Sequence, residues 1–262
     1  MPRNRDRVTK AVVFDLGGVL IDLHSIDARR ELIDDYGMPA ERFDRLTRSC
    51  FTASRRSITE LAMVGKASTS EYLASFSRAC LRNDVKGIKR NRLSVIGRER
   101  PAIFEIVDEL RQRGLICCIL SNTIALHWEK LGSSREYPLL ASIDRIFASH
   151  LMARAKPRRN AFSFVADALK LRMSECLLVD DTPLNVERAR AAGWRGVLFK
   201  DGARLRDELD TVTSSEMREI RQRSAPGRRP PISGASPFAT RPSGSRGSRD
   251  EPARSTIKRR PA

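Results

Sequence analysis

Three short apolar runs each end in a side chain that can do chemistry, and this recurrence constrains the fold more than any other feature of the chain. Ala11 to Phe14 leads into Asp15, Leu115 to Leu120 into Ser121, and Cys176 to Val179 into Asp180-Asp181. Apolar runs of this length, bounded by polar residues or glycine, read as strands buried on both faces. Amphipathic stretches lie between them. Pro101 to Arg113 sets Ile103, Ile106, Val107 and Leu110 on one face and stops at Gly114, and Asn160 to Leu171 does the same with Phe162, Val165 and Leu169. Further helical pieces fall at Leu126 to Leu131, Leu184 to Ala192 and near Leu205, with weaker strand candidates at Ile143 to Ala148 and Gly196 to Phe199. Strands alternating with helices predict an α/β protein with a parallel sheet. In such a sheet the strand ends share one edge, and ligands bind in the crevice outside it. Asp15, Ser121, Asp180 and Asp181 are therefore predicted to converge.

The region from Ser25 to Arg98 has a different character. Convincing strand runs are absent, and apolar residues recur three and four apart in Ala28 to Tyr36, Glu41 to Phe51 and Ser70 to Leu81. Ser68 followed by Glu71 predicts a capped helix start. The chain therefore divides into a basic extension (1–10), an α/β core (11–24 and 99–210), an inserted helical cap (25–98) and a basic tail (211–262). The formal charge is +17, of which the extension carries +3 and the tail +8, leaving the 200 residues between them only mildly basic. Pro, Ser and Gly fill 18 of the 39 positions in 224–262, a composition that cannot offset its ordering entropy by burial and predicts disorder. The basic ends suit nucleic acid or another acidic partner, but Phe238 is the tail's one aromatic, so base stacking has no support.

Composition also excludes several classes. The five cysteines, Cys50, Cys80, Cys117, Cys118 and Cys176, lack zinc-site spacing and disulfide density, and read as buried free thiols in a reducing compartment. No run reaches the ~18 apolar residues of a membrane helix. The first apolar stretch is interrupted by Asp15 and Gly17-Gly18, unlike a signal peptide. A cytoplasmic location is expected.

Three carboxylates in one crevice repel one another unless a cation sits among them, and hard oxygen donors favour Mg²⁺. With that charge neutralised, a carboxylate can attack phosphorus and form an aspartyl-phosphate. Ser121, Thr123 and nearby backbone amides can hold phosphoryl oxygens, and Lys156 can neutralise the nucleophile and the developing charge.

The motifs resemble those of the haloacid dehalogenase-like hydrolase superfamily. They occur in order: Phe14-Asp15-Leu16-Gly17-Gly18-Val19-Leu20, then Leu120-Ser121-Asn122-Thr123, then Lys156-Pro157, then Val179-Asp180-Asp181 with Asn185 following. The resemblance covers about residues 11–200 and is nearest to the branch of sugar-1-phosphate phosphatases and the phosphatase domain joined to epoxide hydrolases. It implies a Rossmann-like three-layer core with a helical cap, and a Mg²⁺-dependent phosphatase of a small phosphorylated metabolite such as a sugar phosphate. Residue by residue, it implies Asp15 as nucleophile and metal ligand, the Gly17 carbonyl and Asp181 as metal ligands, and Asp180 acting on the metal through water or from behind. Ser121 and Asn122 would bind the phosphoryl group, with Lys156 orienting it. Most phosphatases of the superfamily carry an acid two residues after the nucleophile; this chain has Gly17 there. Its third motif also departs, with Ala153 where glycine is usual and Arg158 where an acid is usual. The alternative is a catalytically degenerate module that binds an acidic partner through its basic ends.

Overall fold

The structure, a computed structural model, describes residues 8–49 and 56–211. The tail from residue 212 onward, the first seven residues and Cys50 lie outside the described residues, and with them the predicted tail disorder and the end of the Glu41 to Phe51 helix.

In chain order, β1 (Ala11–Phe14) and β2 (Ile21–Leu23) are followed by five helices: α1 (Ser25–Asp34), α2 (Ala40–Thr47), α3 (Ile58–Met63), α4 (Thr69–Ser77) and α5 (Val85–Ser94). The chain continues through β3 (Ile96–Glu99), α6 (Pro101–Gln112), β4 (Ile116–Ser121), α7 (Ala125–Leu131), α8 (Pro138–Ala141), β5 (Ile146–Ala148) and α9 (Ser149–Met152). It ends with α10 (Arg159–Leu169), β6 (Cys176–Asp180), α11 (Pro183–Ala191), β7 (Arg195–Leu198) and a helix over 202–211.

The main sheet has the order β5-β4-β1-β6-β7, and every pairing is parallel. Strand side chains alternate between two layers, as a period of two requires. Val12, Phe14, Cys117, Ile119, Leu177 and Val179 pack with α6 and the C-terminal helix residues Leu205 and Leu209. Ala11, Val13, Cys118, Leu120, Cys176 and Leu178 pack with Phe162, Val165 and Leu169 of α10 and Ala189 of α11. Both faces are covered, which is why these strands read as continuous apolar runs. Cys117, Cys118 and Cys176 are buried thiols, with burial pushing Cys117 and Cys176 up to about 12, while Cys80 is only half-buried.

The five helices between β2 and β3 share their own core of Leu32, Tyr36, Phe43, Tyr72, Phe76 and Ile88, and this core includes Ile124 and Leu126 at the start of α7. Ser68 and Glu71 form the reciprocal capping box: Ser68 Oγ accepts from the Glu71 N–H at 3.2 Å, and the Ser68 N–H donates to Glu71 Oε2 at 2.8 Å. One expectation needs correction. The stretch 25–98 was predicted to hold no strand, yet β3 begins at Ile96 and pairs antiparallel with β2, Leu23 opposite Ile96 and Ile21 opposite Glu99. Strands of three and four residues are too short to display an alternation, and their pairing joins positions far apart in sequence.

His127, on α7, joins the helical insertion to the core. Its Nε2 lies 2.9 Å from the Arg92 carbonyl, which can only accept, so the ring is the Nε2–H tautomer. Burial, aided by the Arg92 charge, pushes its pKa down to about 4. An unfolded histidine titrates near 6.5, so the neutral ring's contribution is complete above that pH and is lost as pH falls towards 4. The full contribution is about 3 kcal/mol. Urea midpoints of the wild type and His127→Gln are expected to converge between pH 6.5 and 4. Asp15 titrates in the same window with opposite sign, so the diagnostic is the difference between the two proteins; a constant difference would refute the assignment.

Candidate active site

β1 carries Asp15 to the carboxyl edge of the sheet, where the Asp15 N–H donates to the Val179 carbonyl of β6 at 2.8 Å. The loop behind it folds back tightly. Gly18 donates to the Ile21 carbonyl and the Ile21 N–H to the Leu16 carbonyl, so both bonds flank Gly17 and neither uses it. Gly18 has φ +80, and a β-carbon there would displace the Asp181 carboxylate, so the position favours glycine. Arg100 holds this loop from outside, donating to the Gly18 carbonyl and to Asp22, each at 2.6 Å.

Lys156 stands at the centre of the charges. It is fully buried, with Nζ 2.9 Å from Asp15 Oδ1 and 2.6 Å from Asp180 Oδ2. Burial alone would lower its pKa, but Asp15 and Asp180 overcome this and hold it above the usual lysine value. The Leu16 N–H also donates to Asp15 Oδ1, at 2.7 Å. Burial nevertheless raises the Asp15 carboxyl to about 7, with Lys156 opposing the rise and Asp180 adding to it. Asp181 is raised too, by partial desolvation and by Asp180, although it remains open to solvent.

The two acids of β6 and its edge differ in kind. Asp180 is inaccessible, and both its oxygens are occupied: Oδ1 accepts from the Thr182 N–H at 2.9 Å, Oδ2 from Lys156, and Asn185 Nδ2 donates at 2.9 Å to Oδ1. Asp181 is exposed. Asp15, Asp180 and Asp181 each offer a carboxylate oxygen, all within 4.8 Å of one another. Two carboxyls with raised pKa values beside a third is an arrangement that a divalent cation relieves, so the donor set fits Mg²⁺.

The second motif is divided in its tasks. Ser121, the last residue of β4, is buried and lines the cavity above Asp15. Asn122 spends its amide on the Lys156 backbone: Nδ2 donates to the Lys156 carbonyl at 2.8 Å and Oδ1 accepts from the Lys156 N–H at 2.9 Å. Its side chain positions the lysine. The Thr123 N–H donates to Ser149 Oγ at 3.0 Å, and Ser149 Oγ donates to the Thr123 carbonyl at the same distance. That N–H is thus committed to α9, although Thr123 still lines the cavity. Asn185 and Ser149 are the contributors that sequence reasoning weighed least. Asn185 carried a one-motif signal, and Ser149 carried none.

Ala153, at the C-cap of α9, has φ +54, the left-handed region that favours glycine. The backbone requirement behind the usual glycine therefore persists without it, at a strain of about 1–2 kcal/mol.

The cavity over the acids has a volume of about 570 Å³. Its floor is Asp15, Ser121, Lys156 and Asp181, and its far wall comes from the helical insertion, with Phe43, Met63, Tyr72 and Arg92. Leu23 lies beside Gly17 at the same cavity: a β-carbon on Gly17 would sit 2.9 Å from Leu23 Cδ1.

A parallel α/β sheet with an acid–lysine–acid cluster at its carboxyl edge, under an inserted helical unit, has the make-up of a hydrolase site whose acids could hold a cation. Comparison with known proteins agrees: residues 9–193 match the haloacid dehalogenase-like hydrolase family, and the chain belongs to that family. It is 28% identical over 211 residues to phosphatase MT3486 of Mycobacterium tuberculosis, covering 78% of this chain and 94% of the relative. It is 26% identical to a D-ribitol-5-phosphate phosphatase of Bacteroides thetaiotaomicron, covering 79% and 99%. A solved HAD family enzyme from the same bacterium, in complex with magnesium and inorganic phosphate, superposes with a TM-score of 0.61 at 20% identity, covering 73% of this chain and 94% of that one, which supports the shared fold. Among the described residues no helix is long and apolar enough to cross a membrane.

Proposed function

We propose that the chain is a Mg²⁺-dependent phosphatase of a small phosphorylated metabolite, working through an aspartyl-phosphate on Asp15. The observation that carries this reading is the Asp15–Lys156–Asp180 cluster with Asp181 beside it, at the floor of a cavity. The phosphatase names of the relatives support it.

Asp15, Asp181 and the Gly17 carbonyl would hold the ion, with Asp180 contributing from behind because its oxygens are already occupied. Bound there, Mg²⁺ supplies charge neutralisation for the attacking carboxylate and the phosphoryl oxygens. Asp15 Oδ1 is engaged by Lys156 and Leu16, so Oδ2 is the oxygen that bonds to phosphorus as the bond to the leaving oxygen breaks, that oxygen taking its proton from solvent water because Gly17 supplies none. Water then attacks the phosphorus of the acyl phosphate, releasing inorganic phosphate and restoring Asp15. Ser121 Oγ and the Asn122 backbone orient the phosphoryl oxygens, and Lys156 balances their charge. The test is hydrolysis of 4-nitrophenyl phosphate with Mg²⁺ and after chelation; equal rates would remove the proposal. The binding-module alternative draws on basic ends outside the described residues, and an intact acid–lysine–acid cluster favours catalysis over it.

Two expectations follow from local chemistry. Because Asp15 must lose its proton to bind a cation, Mg²⁺ affinity should rise with pH through about 7 and binding should release protons. Calorimetry in buffers of different ionisation enthalpy reads this directly; zero proton release contradicts it. The missing acid at Gly17 is open to restoration, since the obstructing atom is the far end of the Leu23 side chain. Gly17→Asp combined with Leu23→Ala is expected to raise turnover of alkyl phosphates by about 10²-fold, the lower end of general acid catalysis, with little change for aryl phosphates. Equal gains on both classes would show that the aspartate is not acting as an acid.

A further inference from the structure

The chain enters the inserted helices by β2 and returns from them by β3. Arg100 is the first residue after the return strand, and it touches both the outgoing strand and the loop behind Asp15. Its N–H donates to the Leu20 carbonyl at 2.8 Å, just beyond the β2–β3 pairing. Its Nε donates to Asp22 Oδ1 and its Nη1 to the Gly18 carbonyl, each at 2.6 Å, and its guanidinium lies 5.8 Å from the centroid of the Phe199 ring. Phe199 is itself tied to the edge that carries the acids, because its N–H donates to the Asp180 carbonyl at 2.9 Å. One side chain thus bridges positions 78 and 82 residues away in sequence.

The grip on Gly18 reaches the proposed cation site through covalent geometry. Gly18 is held at both ends, its N–H by the Ile21 carbonyl and its own carbonyl by Arg100. The Gly17–Gly18 peptide is trans, so directing the Gly18 N–H at Ile21 also fixes the Gly17 carbonyl on the opposite side. On the other flank of Gly18 stands Asp181, so close that a β-carbon on Gly18 would displace its carboxylate. The Gly17 carbonyl and Asp181 are two of the proposed metal ligands, and the seat of Gly18 between Arg100 and Asp181 sets how far apart they stand. Mg²⁺ demands near-ideal octahedral geometry and tolerates little error in that separation. Arg100 and Asp22 are both partly open to solvent, at 33% and 44% exposure, so their pairing adds little to stability. Its consequence lies in where it holds Gly18.

We propose that Arg100 is a positioning residue that couples the seating of the inserted helices to the cation site: with β2 and β3 paired it holds Gly17 and Gly18 against Asp181, and with the pair apart it releases them. This rests on the metal reading of the proposed function and adds to it a residue outside the acids. By linkage the coupling is reciprocal, so a cation bound at the acids favours the paired strands.

The test reads Mg²⁺ affinity by calorimetry beside denaturation midpoints in metal-free buffer. Arg100→Met removes a positive charge near the acids, which by charge alone would tighten cation binding. Positioning predicts the opposite sign, a weakening of about tenfold to a hundredfold with the midpoint little changed. Arg100→Lys keeps the charge but lacks the fork that spans Asp22 and Gly18, and its affinity should fall between the two. In the wild type Mg²⁺ should slow amide exchange at positions 24 and 100, whose N–H groups bond to the Val95 and Leu20 carbonyls at the two ends of the strand pair, and this effect should be lost in Arg100→Met. Affinity in Arg100→Met equal to or tighter than in the wild type overturns the inference. So does exchange at these amides that ignores Mg²⁺ in a wild type that binds it. A wild type that binds no Mg²⁺ removes the metal reading beneath. Should Arg100→Met lose stability or not fold, Arg100→Lys decides: wild-type affinity overturns the inference, and weakened affinity upholds it.

Discussion

Asp15→Asn is expected to lower Mg²⁺-dependent turnover of an aryl phosphate by at least about 10⁴-fold, because on the proposed mechanism the substitution removes the nucleophile. The amide is nearly the same size, and its oxygen can still accept from Leu16 and Lys156, so the local hydrogen bonds at Oδ1 survive. Stability should change little: Lys156 loses one negative partner, but the repulsion between Asp15 and Asp180 that helps raise the Asp15 pKa is also lost. The measurement is steady-state turnover of both proteins beside their denaturation midpoints. Equal rates would eliminate Asp15 as the nucleophile. A loss of rate matched by a loss of folded protein would show a structural role instead.

Lys156→Met is expected to be the most damaging substitution to folding. Its ammonium is inaccessible and is the cation between two carboxylates, one of which, Asp180, is inaccessible as well. Methionine fills much of the volume but leaves an unmatched buried charge, for which about 3–5 kcal/mol is typical. For comparison, whole domains are stable by about 5–15 kcal/mol. Urea midpoints in metal-free buffer should fall accordingly. Mg²⁺ should recover part of the loss, since a divalent cation among Asp15, Asp180 and Asp181 replaces some of the missing positive charge. Activity should stay low even when stability recovers, because the cation for the phosphoryl oxygens is still gone. A midpoint unchanged without metal would mean that Asp15 and Asp180 do not depend on Lys156 for compensation.

The two experiments separate roles that one cluster combines. On the proposed mechanism Asp15 would carry the chemistry with modest structural weight, while Lys156 would carry both. Asn122 belongs with Lys156 by its contacts, since its amide clamps the lysine backbone from both sides. An Asn122 variant would therefore act through the placement of Lys156.

Much of the fold was legible in the sequence because its causes are local. A strand buried on both faces must be apolar throughout, so Ala11–Phe14, Ile116–Leu120 and Cys176–Val179 announce themselves, and parallel pairing then brings their polar ends together. Ser68 and Glu71 cap a helix through bonds that span three residues. Asp15, Ser121, Lys156, Asp180 and Asp181 could thus be singled out without coordinates.

Only the tertiary structure decided how those residues share the work. Asn122 bonds to Lys156 across 34 positions, and Arg92 meets Tyr72 across 20 and the ring of Phe43 across more. The short β2–β3 pair, the Leu23 side chain against Gly17 and the seat of Arg92 between Tyr72 and the rings of Phe43 and Phe76 leave no periodic trace, because each depends on where distant segments stop against one another. The order of apolar and polar residues sets which strand ends carry chemistry, and the packing of the inserted helices over that edge sets what the chemistry can reach.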